Sequence, residues 1–384
     1  MPRVSITKTA DDLYTAFAGA VEELGLRPVS SGDYVLIKPN LVQPVSSDSG
    51  QITSPGLLEA IARYCLDAGA GRVIIGEGPS YYQPESCLRE CFTHTGVSQM
   101  VKRLGIEWIL FDEHGYRTFE EIPGCIQGNF RVTEFAFECD KFINVPVLKT
   151  HFLTKVTLAM KNLKGCLKRE DKPLFHREDL ARAIVELNKI VAPSLNVIDC
   201  TAKSIGHIGN ADSEVQHSRE GGGFIITSSD IVAIDAVGCA VMDIDPSTVR
   251  TVRLGKAAGI GEGDLAMMDI TGEELKRLRF KVELPQEQIR QTFPLLKIVG
   301  AEKACSGCLI PLFSALFQLQ KRGRQLKKPL SVCLGSRPSI TDDKNYILVG
   351  DCACRESEPG HVRVEGCPPE KKAIIEGLNL HMND

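Results

Sequence analysis

No apolar run in this 384-residue chain approaches the roughly 18–20 residues that a bilayer-spanning helix needs. No membrane span is therefore expected. The opening residues, Met1-Pro2-Arg3-Val4-Ser5-Ile6-Thr7-Lys8, lack the apolar core of a secretory signal, and the chain is expected to be cytoplasmic. Neither charge sign dominates: 45 Lys and Arg against 49 Asp and Glu leave a formal net charge of -4. Nothing global then points to nucleic acid or a membrane surface as partner. Low-complexity segments and internal repeats are also missing, which excludes repeat architectures. The length, with 43% hydrophobic residues, fits two domains or one large domain with an appended module.

The cysteines are distinctive. There are 14, and six of them fall after residue 300. In a reducing compartment they read as small buried hydrophobes plus metal ligands rather than as disulfides. Cys65, Cys139 and Cys239 sit in apolar runs and fit the first class. The late ones do not. Cys305-Ser306-Gly307-Cys308 is a C-x2-C pair, followed by Gly350-Asp351-Cys352-Ala353-Cys354 and Gly366-Cys367-Pro368-Pro369. A short pair plus distant cysteines is how a chain offers four thiolates to one centre. Either a [4Fe-4S] cluster or a structural zinc satisfies that count. Zinc ribbons bring two short knuckles, whereas here one pair is short, and the Cys-Pro step echoes iron–sulfur runs. The expected ligands are Cys305, Cys308, Cys352 and Cys367, with Cys354 competing for the place of Cys352. Cys333 falls inside a strand-like run and is expected in the core.

The first 260 residues alternate strand and helix patterns. Tyr34-Val-Leu-Ile37 is a strand that Pro39 stops. Ser54-Pro55 starts a helix with apolar residues at helical spacing, and Arg72-Val-Ile-Ile75 follows as a strand. Lys141–Val145, Leu195–Ile198 and Gly223–Thr227 are further strands, with helices over 179–191 and from Ser228-Ser229-Asp230 to about Met242. Such alternation predicts an α/β fold, a mostly parallel sheet flanked by helices. Residues 265–300 read as an irregular connector. Beyond them come a helix after the C-x2-C pair, strands at 330–333, 346–349 and 361–364, and a closing helix from Pro369. The expected division is a 1–295 core and a 296–384 cysteine module, itself a smaller α/β unit.

Open parallel sheets bind ligands outside the carboxyl ends of their strands. Those ends are polar here: Lys38 and Asn40, Glu77, Lys149 and His151, and Asp199. Lys161 and Lys164 share a face if their segment is helical. Together they predict a cationic pocket for a small anionic molecule. Lys149, His151 and Lys161 are its expected catalytic groups, and Lys38, Asn40, Glu77 and Asp199 its binding groups. His151 would be an acid/base or a metal ligand; Glu77 and Asp199 could complete a hard-metal site. The alternative is that these are solvated charges and caps. The run Lys321-Arg-Gly-Arg-Gln-Leu-Lys-Lys328 reads as a solvated helix end, or else as a dock for an acidic electron-transfer protein. The glycines at 259–263 read as a turn, and Gly221-Gly222-Gly223 as an entry loop.

Val35-Leu-Ile-Lys-Pro-Asn-Leu41, Ile75-Gly-Glu-Gly-Pro-Ser80, Asn144-Val-Pro-Val-Leu-Lys-Thr-His151 and Val156-Thr-Leu-Ala-Met-Lys-Asn-Leu-Lys-Gly165 together resemble the family of unknown function numbered 362. So do Ser229-Asp-Ile-Val-Ala-Ile-Asp-Ala236 and Met242-Asp-Ile-Asp-Pro246. The resemblance covers about residues 30–265. It implies an iron–sulfur association, since members often carry a ferredoxin-like segment. The chain departs from the pattern at Asp199-Cys200, where the family has Asp-Gly, and in lacking a two-cluster ferredoxin run. The Gly366-Cys367-Pro368-Pro369 step is similar to a cluster-ligating segment of small subunits in respiratory NADH dehydrogenase and hydrogenase complexes. The function expected is a [4Fe-4S] redox protein or oxidoreductase acting on a small anion. The alternatives are a metal-assisted lyase or isomerase, and a non-catalytic electron carrier.

Overall fold

The computed structural model describes residues 1–9, 12–84, 86–202, 206–207, 223–336, 338, 345–355 and 362–383. Gly221, Gly222, Ile208, Gly209 and His361 lie outside the described residues.

An eight-stranded sheet forms the centre. Its spatial order is Asp269–Gly272, Arg3–Lys8, Phe224–Ser228, Leu195–Cys200, Lys141–Asn144, Tyr34–Lys38, Arg72–Glu77 and Glu107–Leu110. Phe224–Ser228 runs antiparallel to both neighbours, while every other pairing is parallel. The strands between Leu195 and Glu77 in this order are buried on both faces, which explains their unbroken apolar runs. Helices cover both sides. Pro55–Asp67 packs into one apolar cluster with Val35, Ile37 and Ile143, and Ile231–Val241 into another with Leu36 and Ile198. Side chains alternate across the pleat, so neighbours such as Leu36 and Ile37 serve opposite clusters.

Helix starts follow the expected chemistry. Asp179 caps Leu180–Ile190 through Arg182 N, and Asp230 caps Ile231–Val241 through Val232 N and Ala233 N. Pro55 stands at the first turn of its helix.

The segment 265–300 is more ordered than its polarity implies. It supplies the edge strand Asp269–Gly272, the helix Pro285–Thr292 and the strand Leu296–Val299. Leu296–Val299 opens a second, wholly parallel sheet with Leu330–Cys333, Tyr346–Val349 and Val362–Val364. The Ser306–Lys321 helix and the closing Lys371–Asn379 helix pack on it. Phe152, from the first part of the chain, enters this second core and stacks on Phe313 at 5.3 Å. Among the described residues, no helix is long and apolar enough to cross a membrane.

Candidate functional site

Because the central strands are parallel, their carboxyl ends share one edge. Lys38 ends one strand and Glu77 ends its neighbour, and the two side chains meet there. Lys38 Nζ stands 2.7 Å from Glu77 Oε1 and 2.9 Å from Oε2, with both groups buried. Glu77 also accepts from Gly78 N at 2.9 Å and Leu41 N at 3.3 Å. A carboxylate bonded this fully can sit in a dry place. The pair leaves no room around it. A Cβ on Gly165 would run into Glu77 Oε1 and Lys38 Nζ, and one on Gly78 into the Gly165 carbonyl. These two glycines are where the backbone must approach the ion pair.

Lys149 and His151 come from a small hairpin, Lys149–His151 against Lys155–Thr157. Its turn closes with Lys155 at φ 63°. The turn backbone folds over the His151 ring, and Leu153 N (3.0 Å) and Thr154 N (3.2 Å) both donate to Nδ1. In the neutral ring the proton must then be on Nε2. Burial, followed by the charges of Lys161, His176, Lys164 and Lys149, holds the imidazole well below its usual pKa. His151 is thus a fixed neutral N–H donor, and it lacks a free nitrogen lone pair for use as a base or metal ligand. Its Nε2 is buried without a hydrogen-bond partner among the described residues.

A ladder of buried amides fixes Lys149. Its Nζ donates to Asn40 Oδ1 at 2.6 Å and to the Gln51 carbonyl at 3.0 Å. Asn40 Nδ2 donates to Asn162 Oδ1 (3.0 Å), Asn162 Nδ2 to Asn144 Oδ1 (2.8 Å), and Asn144 Nδ2 to Asn196 Oδ1 (2.9 Å). Each amide orientation is dictated by the one before it, starting from an ammonium that can only donate.

A cleft of about 100 Å³ opens over this floor, lined by Lys38, Asn40, Glu77, Lys161, Lys164 and Lys172 among others. Lys161 and Lys164 follow one another on the Ala159–Asn162 turn and its 3₁₀ continuation. That turn is anchored by the buried Asp235, whose carboxylate accepts from Ala159 N at 2.6 Å and Met160 N at 3.2 Å. Lys164 Nζ lies 2.8 Å from His176 Nε2, and Lys172 Nζ donates to the Pro79 carbonyl at 2.6 Å. Among the described residues, Glu77 is the one carboxylate in the lining.

Burial dominates the proton affinities here. It pulls Lys164 down to about 7, with Lys172 adding repulsion. It pulls Lys172 to about 8 and Lys149 to about 7, in both cases against the attraction of Glu77. Lys161 is held well below its usual value by burial, then by Lys164 and Lys149. Burial and mutual repulsion thus hold this cluster of lysines short of full charge.

The cysteine module meets this cleft. Cys305 caps the Ser306–Lys321 helix, and Ser306 lines the cleft. Tyr81 lines it too, and its hydroxyl accepts from Gly307 N at 2.6 Å while bonding the Cys305 thiol. Bonds from the Cys308 side chain, then Tyr81 and the Cys308 and Gly307 N–H groups, outweigh burial and bring Cys305 down to about 5. Cys308 is pushed up by its bond to Cys305, by burial and by the charges of Cys305, Cys352 and Cys367. Burial first, then Cys305, raises both Cys352 and Cys367. Gly350 keeps the space beside Cys308, since a Cβ there would stand 2.5 Å from its sulfur. The charges of Cys305, Cys352 and Cys367 are thus all felt at Cys308. Cys354 turns its sulfur to the Leu348 carbonyl at 3.8 Å and packs with Cys333 in a small apolar cluster. Among the described residues, no group of three or more His, Cys, Asp or Glu is gathered around a single metal-sized point.

Of the seven polar residues expected to form the pocket, Lys38, Asn40, Glu77 and Lys161 line the cleft; Lys149 bonds Asn40 but lines the neighbouring cavity, and His151 is buried outside both linings. Asp199 is elsewhere. Its carboxylate accepts from Ser54 N at 2.6 Å and from Thr201 N at 2.8 Å, tying two loops, and it is not part of the cleft lining. The hard-metal site of His151, Glu77 and Asp199 has no basis in this arrangement, because each is committed to different donors. Tyr81, Lys172, His176, Asp235 and the ladder beyond Asn40 (Asn162, Asn144 and Asn196) escaped the sequence reading. Isolated amides and a lone Asp inside apolar runs were their only signal.

The comparisons with known proteins agree with the residue patterns. The model of a domain of unknown function, DUF362, matches residues 35–240. The thylakoid-associated protein sll1697 of Synechocystis sp. (strain ATCC 27184 / PCC 6803 / Kazusa) is 27% identical over 238 residues, covering 60% of this chain and 70% of that protein. Two solved structures are similar in part. The lactate racemase apoprotein from Thermoanaerobacterium thermosaccharolyticum is 14% identical with a TM-score of 0.39, over 64% of this chain and 58% of that one. A Thermotoga maritima protein is 12% identical with a TM-score of 0.38, over the same shares. This chain thus spans less than two thirds of the length of either structure. Since the family match takes in more than half of its residues, the chain belongs to the DUF362 family.

Proposed function

We propose that this protein is an enzyme that binds a small anion, a carboxylate or phosphate, in the lysine cleft and acts on it beside a four-thiolate [4Fe-4S] centre. The observation that carries the reading is Tyr81. Its ring lines the cleft while its hydroxyl bonds the Cys305-Ser306-Gly307 segment. A centre held there would be next to whatever the lysines hold.

The donor chemistry supports this reading: Cys305, Cys308, Cys352 and Cys367 are four thiols on three segments whose charges act on one another, and Cys305 is already acidic. One short Cys pair with two distant cysteines, one of them followed by proline, favours a cluster over the zinc alternative. When bound, such a centre supplies one-electron transfer.

The chain's own residues would do the rest. Lys161, Lys164 and Lys172 neutralise the anion, and Lys149 is oriented by Asn40 to face the neighbouring space. His151 is held neutral and buried outside the linings of both cavities, so its part is to brace the hairpin that carries Lys149. Lys38 is spent on Glu77 and positions the floor. This arrangement favours an enzyme over a bare electron carrier, which has no use for buried lysines. It also disfavours a lyase built on a hard metal at His151.

Anaerobically purified protein should contain about four irons and four acid-labile sulfides per chain. Tightly bound zinc without labile sulfide would overturn the cluster. Propionate or phosphate should protect the protein thermally, and Lys164→Gln should remove that protection. If the wild-type protein shows no protection, the anion cleft is wrong.

A further inference from the structure

Beside the lysine cleft lies a second cavity of about 240 Å³, whose lining includes Gln43, Gln51, Gln83, Lys149 and Pro368. Val42 and Tyr82 wall both spaces. A hydrogen bond also joins the two linings. Asn40 lines the lysine cleft, Lys149 lines the second cavity, and Lys149 Nζ donates to Asn40 Oδ1 at 2.6 Å. Gln51 holds Lys149 from the far side with its carbonyl, at 3.0 Å.

The two compartments differ in chemistry. The first is cationic. The second has a single lysine, already donating to two oxygens, and three neutral amides. Gln43 Nε2 donates to Gln51 Oε1. That bond sets the remaining atoms, Gln43 Oε1 and Gln51 Nε2, as an acceptor and a donor on adjoining side chains. A planar carboxamide carries the matching donor and acceptor. The facing wall, Ile310, Pro311 and Pro368, is apolar and comes from the cysteine segments. It would cover the flat face of such a group and keep charge out.

We propose that both compartments hold one ligand, a short anionic molecule bearing an uncharged carboxamide-type group. Its anionic end lies among Lys161, Lys164 and Lys172, and its amide lies against Gln43 and Gln51. This rests on the anion-cleft reading above and adds the class of substrate. It makes Gln43 and Gln51 the residues that set specificity, and it places the amide end against the cysteine module.

The test is a pair of isosteric carboxylates, succinamate (4-amino-4-oxobutanoate) and 4-methylpentanoate, titrated calorimetrically into the full chain at pH 6.5. Two neutral hydrogen bonds should make succinamate about tenfold tighter. In Gln51→Leu and Gln43→Leu the ratio of the two affinities should fall toward one. Equal binding of both compounds to the wild-type protein, or tighter binding of 4-methylpentanoate, overturns the two-compartment ligand and leaves the anion cleft standing. Failure of both compounds and of phosphate to bind overturns both readings. The wild-type comparison decides the matter even if a variant does not fold.

Discussion

Anion affinity should fall steeply as pH rises above neutrality. The perturbation is pH alone, from 6 to 9, with propionate as ligand because its own carboxyl stays ionised throughout. The magnitude follows from two lysines lining the cleft, Lys164 held down to about 7 and Lys172 to about 8. In the empty protein, raising pH from 7 to 9 cuts the charged share of Lys164 roughly 50-fold and that of Lys172 roughly tenfold. An anion that needs only Lys164 charged would lose about 50-fold in affinity over that range, and one that needs both would lose up to about 500-fold. The sign is fixed by linkage. Filling the cleft raises both pKa values, so binding takes up protons between the free and bound values, and affinity levels off below about 7. Calorimetry at pH 8 in buffers of different ionisation enthalpy should show about one proton taken up per anion bound. Affinity that is constant from pH 6 to 9, or proton release on binding, would refute the reasoning. The same linkage makes the empty protein gain stability as pH rises from about 7 toward 10, because the unfolded lysines hold protons that the folded ones have lost.

Three further outcomes follow. Asp235→Asn leaves one of the Ala159 and Met160 N–H groups facing an amide donor, and should cost about 1–3 kcal/mol in urea unfolding with weaker propionate binding; an unchanged midpoint and affinity would contradict it. Gly165→Ala forces a Cβ into the Lys38–Glu77 pair and should cost about 3–5 kcal/mol, the scale of breaking a buried ion pair; a loss under about 1 kcal/mol would mean the backbone yields there. Cys352→Ser should lose most of the iron while Cys354→Ser keeps it, since Cys354 is turned toward Leu348 and Cys333; the opposite result would invert the assignment.

The central parallel strands were legible because burial on both faces leaves runs such as Val35-Leu-Ile37 with no polar interruption. Such a run has no direction written in it, so the reversal of Phe224–Ser228 could not be read. Arg3–Lys8 was hidden because it alternates apolar and polar residues at the chain end, and Asp269–Gly272 because it is short and half exposed. In the site, Lys38, Glu77 and Lys149 announced themselves as charges directly after apolar strands. Asp199 carried the same signal and proved to be a loop tie. A carboxylate at a strand end looks the same in sequence whether it faces a cavity or a backbone amide. Lys172 and His176 lie in a 3₁₀ segment with no periodicity, and Asn144 and Asn196 are single amides in buried strands. Only the fold shows that Asn144 and Asn196 end one relay from Lys149. The neutral tautomer of His151 depends on two turn amides, a backbone feature no side-chain motif encodes.

The central claim is that a thiolate-bound cluster and an anion share one site, joined through Tyr81 and Ser306. Electron paramagnetic resonance of the dithionite-reduced, anaerobic protein, recorded with and without saturating propionate, addresses it directly. The account predicts an iron–sulfur signal that shifts when propionate is added. An absent signal, or one that saturating propionate leaves unchanged, would contradict it.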